Sequence, residues 1–148
     1  MFRGQHLHSI DPKGRVSLPV RFREVLAARG DLRTVLTPAL FDPCLQLYPV
    51  SAWEDLEKRI SEQPSFDRNA QLLRRRYVSA AVECEIDRSG RILVPPHLRT
   101  GAALDGEVVF AGMGASIELW SKQRWESALA LAPADEAAFK QAVEQLRL

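Results

Sequence analysis

The chain is poor in most of what chemistry and membranes require. Its 148 residues include only two cysteines, Cys44 and Cys84, forty positions apart and outside any CxxC pattern. They read as buried thiols of a reducing compartment, not as a disulfide framework or a zinc site. No stretch approaches 18 uninterrupted apolar residues, so a membrane-spanning helix is excluded. The opening Met1-Phe2-Arg3-Gly4-Gln5-His6 lacks the apolar core of a signal peptide, and the expected location is the cytoplasm. There is no phosphate-cradling glycine loop, no HExxH and no Gly-x-Ser-x-Gly. What remains is ordinary for a globular chain: 46% hydrophobic and 26% charged residues. At this length a chain forms one domain, or two small ones sharing a core, without metal or disulfide staples.

The net charge is only +1, but its distribution is uneven. Residues 1–30 carry +4, residues 31–67 carry −4, residues 68–100 carry +4 and residues 101–148 carry −3. This rhythm of basic and acidic blocks repeats after about half the chain.

The sequence repeats with it. Ile10-Asp11-Pro12-Lys13-Gly14-Arg15-Val16-Ser17-Leu18-Pro19 aligns with Ile86-Asp87-Arg88-Ser89-Gly90-Arg91-Ile92-Leu93-Val94-Pro95 at an offset of 76. Leu45-Gln46-Leu47-Tyr48 before Trp53 aligns with Ile117-Glu118-Leu119-Trp120 before Trp125 at an offset of 72. Two copies are too few for a solenoid. They imply halves, 1–66 and 67–148, paired about a pseudo-twofold axis.

Each half opens on a hairpin. Asp11-Pro12-Lys13-Gly14 has the residues of a type I turn with a left-handed glycine at its end. The Asp11 carboxylate is placed to accept loop N–H groups, and Arg15 begins the return strand. Asp87-Arg88-Ser89-Gly90-Arg91 repeats the pattern. A short helix is expected from Val20 to near Gly30. Strands follow near Arg33–Thr37 and Cys44–Tyr48. Ser51 and Glu54 predict a capping box for a helix with Trp53, Leu56 and Ile60 on one face. A helix near Arg68–Val78 leads to a strand at Val82–Ile86. Strands at Val108–Ala111 and Ile117–Trp120 precede a helix capped by Ser121. Asp135 is expected to open a final amphipathic helix bearing Phe139, Val143 and Leu146.

Three kinds of site can be weighed. His6-x-His8, with Cys84, lacks further ligands at metal spacing. The paired Asp11 and Asp87 resemble a twofold aspartic dyad, but Arg15 and Arg91 would hold both carboxylates ionised. Structural acceptors of the turns are the better reading. The cations Arg3, Lys13, Arg15, Arg21 and Arg23 cluster on or beside the first hairpin. A basic β-hairpin can enter a DNA groove, while a solvated charged face with a weak Asp11–Arg15 pair is the other reading. Arg74-Arg75-Arg76 would span most of a helix circumference, which suits solvation or subunit contact. The tryptophans suit packing better than base stacking.

Together, Met-Phe-x-Gly at the start, Ile-Asp-x-Lys-Gly-Arg-x-x-x-Pro-x-x-Phe-Arg, and Asp-x-x-Gly-Arg-Ile-x-x-Pro-x-x-Leu-Arg with Gly-x-x-x-x-Ile-Glu-Leu-Trp resemble the MraZ family. These are bacterial transcription regulators encoded at the head of the division and cell-wall gene cluster. The resemblance runs from Phe2 to about Trp125. It implies an α+β fold with a mainly β core, a swapped-hairpin barrel like those of AbrB and MazE, with both halves in one chain. It further implies a non-enzyme without cofactor or metal, which represses its own operon by binding tandem promoter repeats in duplex DNA. A homo-oligomeric ring, an octamer or larger, and nucleoid association follow from the same likeness. The motif places DNA contact on Lys13, Gly14 and Arg15 of the first copy, and the position of the nearby cations adds Arg3 and Arg21 or Arg23 as phosphate contacts. Asp11, Asp87, Gly90 and Arg91 complete the motif, and Ser89 in place of the first copy's Lys hints at unequal halves. A ring-forming scaffold without a DNA role is the alternative. An antitoxin role is disfavoured, because no long disordered tail is expected.

Overall fold

The computed structural model describes residues 1–148. Eight strands form one antiparallel sheet: β1 (Gln5–Ile10), β2 (Arg15–Ser17), β3 (Arg33–Pro38), β4 (Leu45–Pro49), β5 (Val82–Glu85), β6 (Arg91–Leu93), β7 (Gly106–Gly112) and β8 (Ile117–Ser121). Their order is β5-β3-β4-β8-β7-β1-β2-β6. The edge strands β5 and β6 come back together through the second hairpin, where the Asp87 N–H donates to the Arg91 carbonyl. The sheet is thereby an almost closed barrel.

Exchanging β1–β4 for β5–β8 leaves this cyclic order unchanged, which is the pseudo-twofold symmetry the repeat implies. The halves interleave. β1 lies on β7, and β3 lies on β5. β2 pairs with β6 in the register Val16↔Ile92, so equivalent residues face each other across the axis. This is the expected swapped-hairpin barrel.

The barrel interior is filled in equivalent pairs. Val16 and Ile92, Leu18 and Val94, Phe22 and Leu98, and Leu47 and Leu119 are all buried there, with Phe2 and Phe110. Each such side chain contributes roughly 1.5–3 kcal/mol of transfer free energy. Neither half could bury these residues alone, because every strand has one of its neighbours in the other half.

Helices α1 (Val20–Ala28) and α4 (Pro96–Gly101) follow β2 and β6, each entered through a proline, Pro19 or Pro95. Helix α2 (Val50–Ser61) and helix α3 (Arg68–Leu73), which widens into a π-helical turn at Arg74–Val78, cover the outside of β3 and β4. Trp53, Val35, Ile60 and Tyr77 pack between them. Arg74 Nη2 donates to the Ile60 and Gln63 carbonyls, so this arginine ties α3 to the end of α2. Helix α5 (Lys122–Leu129) covers Val109 and Trp120 on the opposite flank. Trp120 stacks edge-on with Trp125, in line with the packing role read for the tryptophans.

One helix start differs from the sequence reading. Helix α2 is entered from Pro49, and Ser51 lies inside its first turn. The acceptor comes instead from the distant, buried Asp31, whose Oδ2 takes the Ser51 N–H at 3.0 Å and its hydroxyl at 2.9 Å. The equivalent α5 has the expected Ser121 cap, which accepts from the Arg124 N–H. The last helix, α6 (Glu136–Gln145), opens at Asp135 as expected, after a 3-10 turn at Pro133–Asp135, although the Asp135 side chain makes no capping bond. Phe139 on α6 and Leu146 just past its end are exposed. No helix is long and apolar enough to cross a membrane.

Candidate nucleic-acid interface

Both hairpins are pinned by their aspartate. In the first, Asp11 Oδ1 accepts from the Lys13 and Arg15 N–H groups, each at 2.9 Å, and Oδ2 accepts from Arg15 Nε at 2.6 Å. In the second, Asp87 Oδ1 takes the Ser89 and Arg91 N–H groups at 2.8 and 2.9 Å, and Oδ2 takes Arg91 Nε at 3.1 Å. The Arg15 and Arg91 backbone N–H groups are the main cause that holds the respective carboxyls below the usual carboxylate range. The carboxylates are therefore loop acceptors, each held by its own arginine. β2 and β6 run antiparallel, so the two tips lie at opposite ends of the ribbon, and the dyad reading has no geometry to support it.

Gly14 has φ +90° and Gly90 has φ +77°, in the left-handed region where a Cβ is costly. A second constraint is steric. A Cβ on Gly14 would meet the Val94 carbonyl at 2.5 Å and Arg99 Nε at 2.7 Å. A Cβ on Gly90 would meet Arg23 Nη1 at 2.5 Å. Each glycine leaves room for an arginine of the opposite half. Arg99 donates to the Val94 and Pro12 carbonyls, both at 3.0 Å, and so clamps the first loop. Arg23 donates to the Leu18 carbonyl at 3.1 Å beneath the second. Backbone bonds complete the brace: Val94 N–H to the Gly14 carbonyl, and Leu18 N–H to the Gly90 carbonyl. Arg99 had no role in the sequence reading, although the offset of 76 maps it onto Arg23.

The cations fall into different places. Lys13 is exposed at the first tip. Arg15 is two-fifths exposed, with Nε held by Asp11 and no protein partner for its Nη groups. Arg21 is exposed on the first turn of α1. Arg3 is exposed but precedes β1, whose six residues span about 20 Å of extended chain between it and the tip. Arg23 is half-buried in the brace.

The helices cover the β3–β4 and β7–β8 flanks and leave the outer face of the β2–β6 ribbon bare. There Arg15 lies directly opposite Leu93, and Ser17 opposite Arg91. The faces beside the two loops differ in charge. On β1 the outward residues include Leu7 and Ser9, whereas the equivalent positions of β5 are Glu83 and Glu85. Glu83 is partly neutralised by Arg33 at 3.5 Å. The geometry of the hairpins is alike, but the strand entering the second loop carries two carboxylates where the strand entering the first carries none; the acidic neighbours of the first are Glu107, across from Ser9, and Asp105 near Pro12.

On the inner side of β1, His6 packs edge-on against Phe22 and His8 against Phe110. Burial is the main cause of a His8 pKa below the ordinary histidine value, with His6 and Arg23 acting in the same direction. No group of three or more His, Cys, Asp or Glu is arranged to hold a metal ion. Cys44 and Cys84 are free and buried, as the composition suggested.

Two aspartate-pinned hairpins, each braced by the other half and closing one barrel, define a swapped-hairpin protein of the AbrB and MazE type with both halves in one chain. The sequence model of the MraZ protein family matches residues 1–76 and again residues 78–147. The chain belongs to the MraZ family. It is 42% identical over 141 residues to a protein of Azotobacter vinelandii, covering 95% of this chain and 91% of the relative. It is 47% identical over 126 residues to one of Pelotomaculum thermopropionicum, covering 85% and 83%. A relative in Caldanaerobacter subterraneus subsp. tengcongensis is 38% identical, covering 99% and 96%. Each is named a transcriptional regulator MraZ, and none of the three is named as an enzyme.

Proposed function

We propose that this chain is a DNA-binding transcriptional repressor that reads tandem repeats upstream of its own operon, in the division and cell-wall gene cluster. The observation that carries this reading is the first hairpin. Its loop is rigidly pinned, Lys13 and the Arg15 Nη groups point outward, and the adjoining sheet face is left open by the helices. Cations of this kind serve phosphate contact and guanine edges in the major groove. Arg21 adds a phosphate contact near the tip, and Arg3 one farther along the duplex. Gly14 acts by leaving room for the Arg99 brace that holds the loop. Arg23 acts by holding the second hairpin in place.

The halves, divided at 66/67, have unequal roles. Glu83 and Glu85 beside the second loop repel phosphate, so Arg91 contributes less than Arg15. One hairpin makes few contacts, and a single subunit therefore binds weakly. A homo-oligomeric ring of eight or more copies engages several repeats at once, and each further engagement is intramolecular. The exposed apolar side of α6 is available for contact between copies. A cytoplasmic, nucleoid-associated protein is the corresponding cellular picture.

The test is a mobility-shift titration with duplexes carrying one, two, three and four repeats of the protein's own upstream region. Affinity should climb steeply with repeat number and fall with salt, because displaced counterions drive binding. A ring that binds none of these duplexes would instead be a scaffold without a DNA role.

A further inference from the structure

The bare ribbon carries a side chain that phosphate binding does not need. Leu93 is 57% exposed at the end of β6, on the same face as Arg15 and Arg91. A single exposed leucine is ordinary on a protein surface. This one sits between two arginines on a face that no helix covers. Under the pseudo-twofold, its equivalent is Ser17, so the four outward positions are two matched arginines and one unmatched pair. Leu93 is the direct cross-strand partner of Arg15, with Cβ atoms about 5 Å apart for such a pair. That distance corresponds to one or two base steps of about 3.4 Å along a DNA strand.

We propose that Leu93 is a specificity-determining residue that packs against the 5-methyl group of a thymine, one or two base pairs from the position Arg15 contacts. The inference rests on the DNA-binding reading above and deepens it. The major groove admits a two-stranded ribbon, and the thymine methyl is the one apolar group exposed there. An arginine and an aliphatic side chain projecting side by side can take a polar base edge and this methyl from adjacent steps. Ser17, beside Arg91, offers a hydroxyl in place of the aliphatic group. The ribbon is thus symmetric in backbone and in arginines but asymmetric in what else it reads. That asymmetry fixes which way round a subunit sits on a repeat that is not a palindrome.

The experiment is a uracil scan. Duplexes of the protein's own upstream region are prepared with uracil replacing each thymine in turn, which removes only the methyl group. The intact protein should bind about fourfold more weakly per engaged subunit at one thymine of the repeat, the worth of one buried methyl group. L93S should bind the parent duplex weaker by a similar factor, be blind to uracil at that position, and keep the salt dependence. L93M should retain the sensitivity. A flat scan for the intact protein, or an L93S scan identical to it, overturns the inference. If salt-sensitive binding is present and R15A abolishes it while the scan stays flat, only the role of Leu93 falls. If the intact protein binds no duplex, the role of Leu93 and the DNA-binding reading fall together.

Discussion

Replacing Gly14 by alanine separates backbone strain from the brace across the barrel. Gly30 supplies the reference, since it too has positive φ, at +68°, but a Cβ there would meet nothing within 4 Å. G30A should therefore cost only the left-handed strain, about 1 kcal/mol. At Gly14 the same strain is joined by a Cβ only 2.5 Å from the Val94 carbonyl, which is backbone and does not swing away, and by Arg99. Relief requires the loop to move, which weakens the bond between the Val94 N–H and the Gly14 carbonyl and one or both bonds from Arg99. Each is worth about 1 kcal/mol net. G14A should cost about 2–4 kcal/mol, against typical domain stabilities of roughly 5–15 kcal/mol. The measurement is urea unfolding of G14A, G30A, R99A and the G14A/R99A pair at one protein concentration. The double variant should be less destabilised than the sum of the singles by about 1 kcal/mol, although positions 14 and 99 lie far apart in the chain. Equal costs for G14A and G30A, or additivity within about 0.5 kcal/mol, would refute the brace.

Removing the anionic flank of the second hairpin with E83Q/E85Q should tighten binding to the upstream duplex and raise the cost of R91A toward that of R15A, measured by titration at fixed salt. Asp11 and Asp87 are held below their ordinary pKa, so their contribution is present above about pH 3.8, the ordinary carboxyl value, and is lost as pH falls through the depressed folded-state values. The D11N/D87N variant should accordingly show a flatter acid limb in unfolding monitored by circular dichroism. Burial pushes the Cys84 thiol up to about 11 and raises Cys44 still further, so neither should react with a disulfide reagent at pH 8 until denaturant is added.

Local chemistry and the repeat made much of this fold legible. The turn residues at Asp11–Gly14 and Asp87–Gly90 specify their own geometry within four positions, and the strands around them form where the alternation places them. The offset of 76 carries the pseudo-twofold. What the sequence obscured depends on contacts between residues far apart in the chain. The acceptor for the start of α2 is Asp31, reached across a strand pair, so a Ser-x-x-Glu pattern pointed to the wrong group. Arg23 and Arg99 look like surface cations because nothing local shows that each lies under the other half's glycine. The bare face beside Arg15 is also a tertiary property. It exists because α2, α3 and α5 cover the other flanks, and only the register Arg15↔Leu93 and Ser17↔Arg91 reveals its neighbours. The contrast of Leu7 and Ser9 with Glu83 and Glu85 was present in the aligned repeats, but it acquires meaning once these residues are known to point outward.

The most direct test of the central claim is the affinity of R15A for the upstream duplex, read beside its unfolding curve and its oligomeric state. Those two controls should match the unchanged protein closely, because the lost ion pair is partly exposed and Asp11 keeps its two backbone N–H donors, while specific binding collapses. Undiminished affinity in a properly folded R15A assembly would contradict the assignment of the first hairpin to DNA.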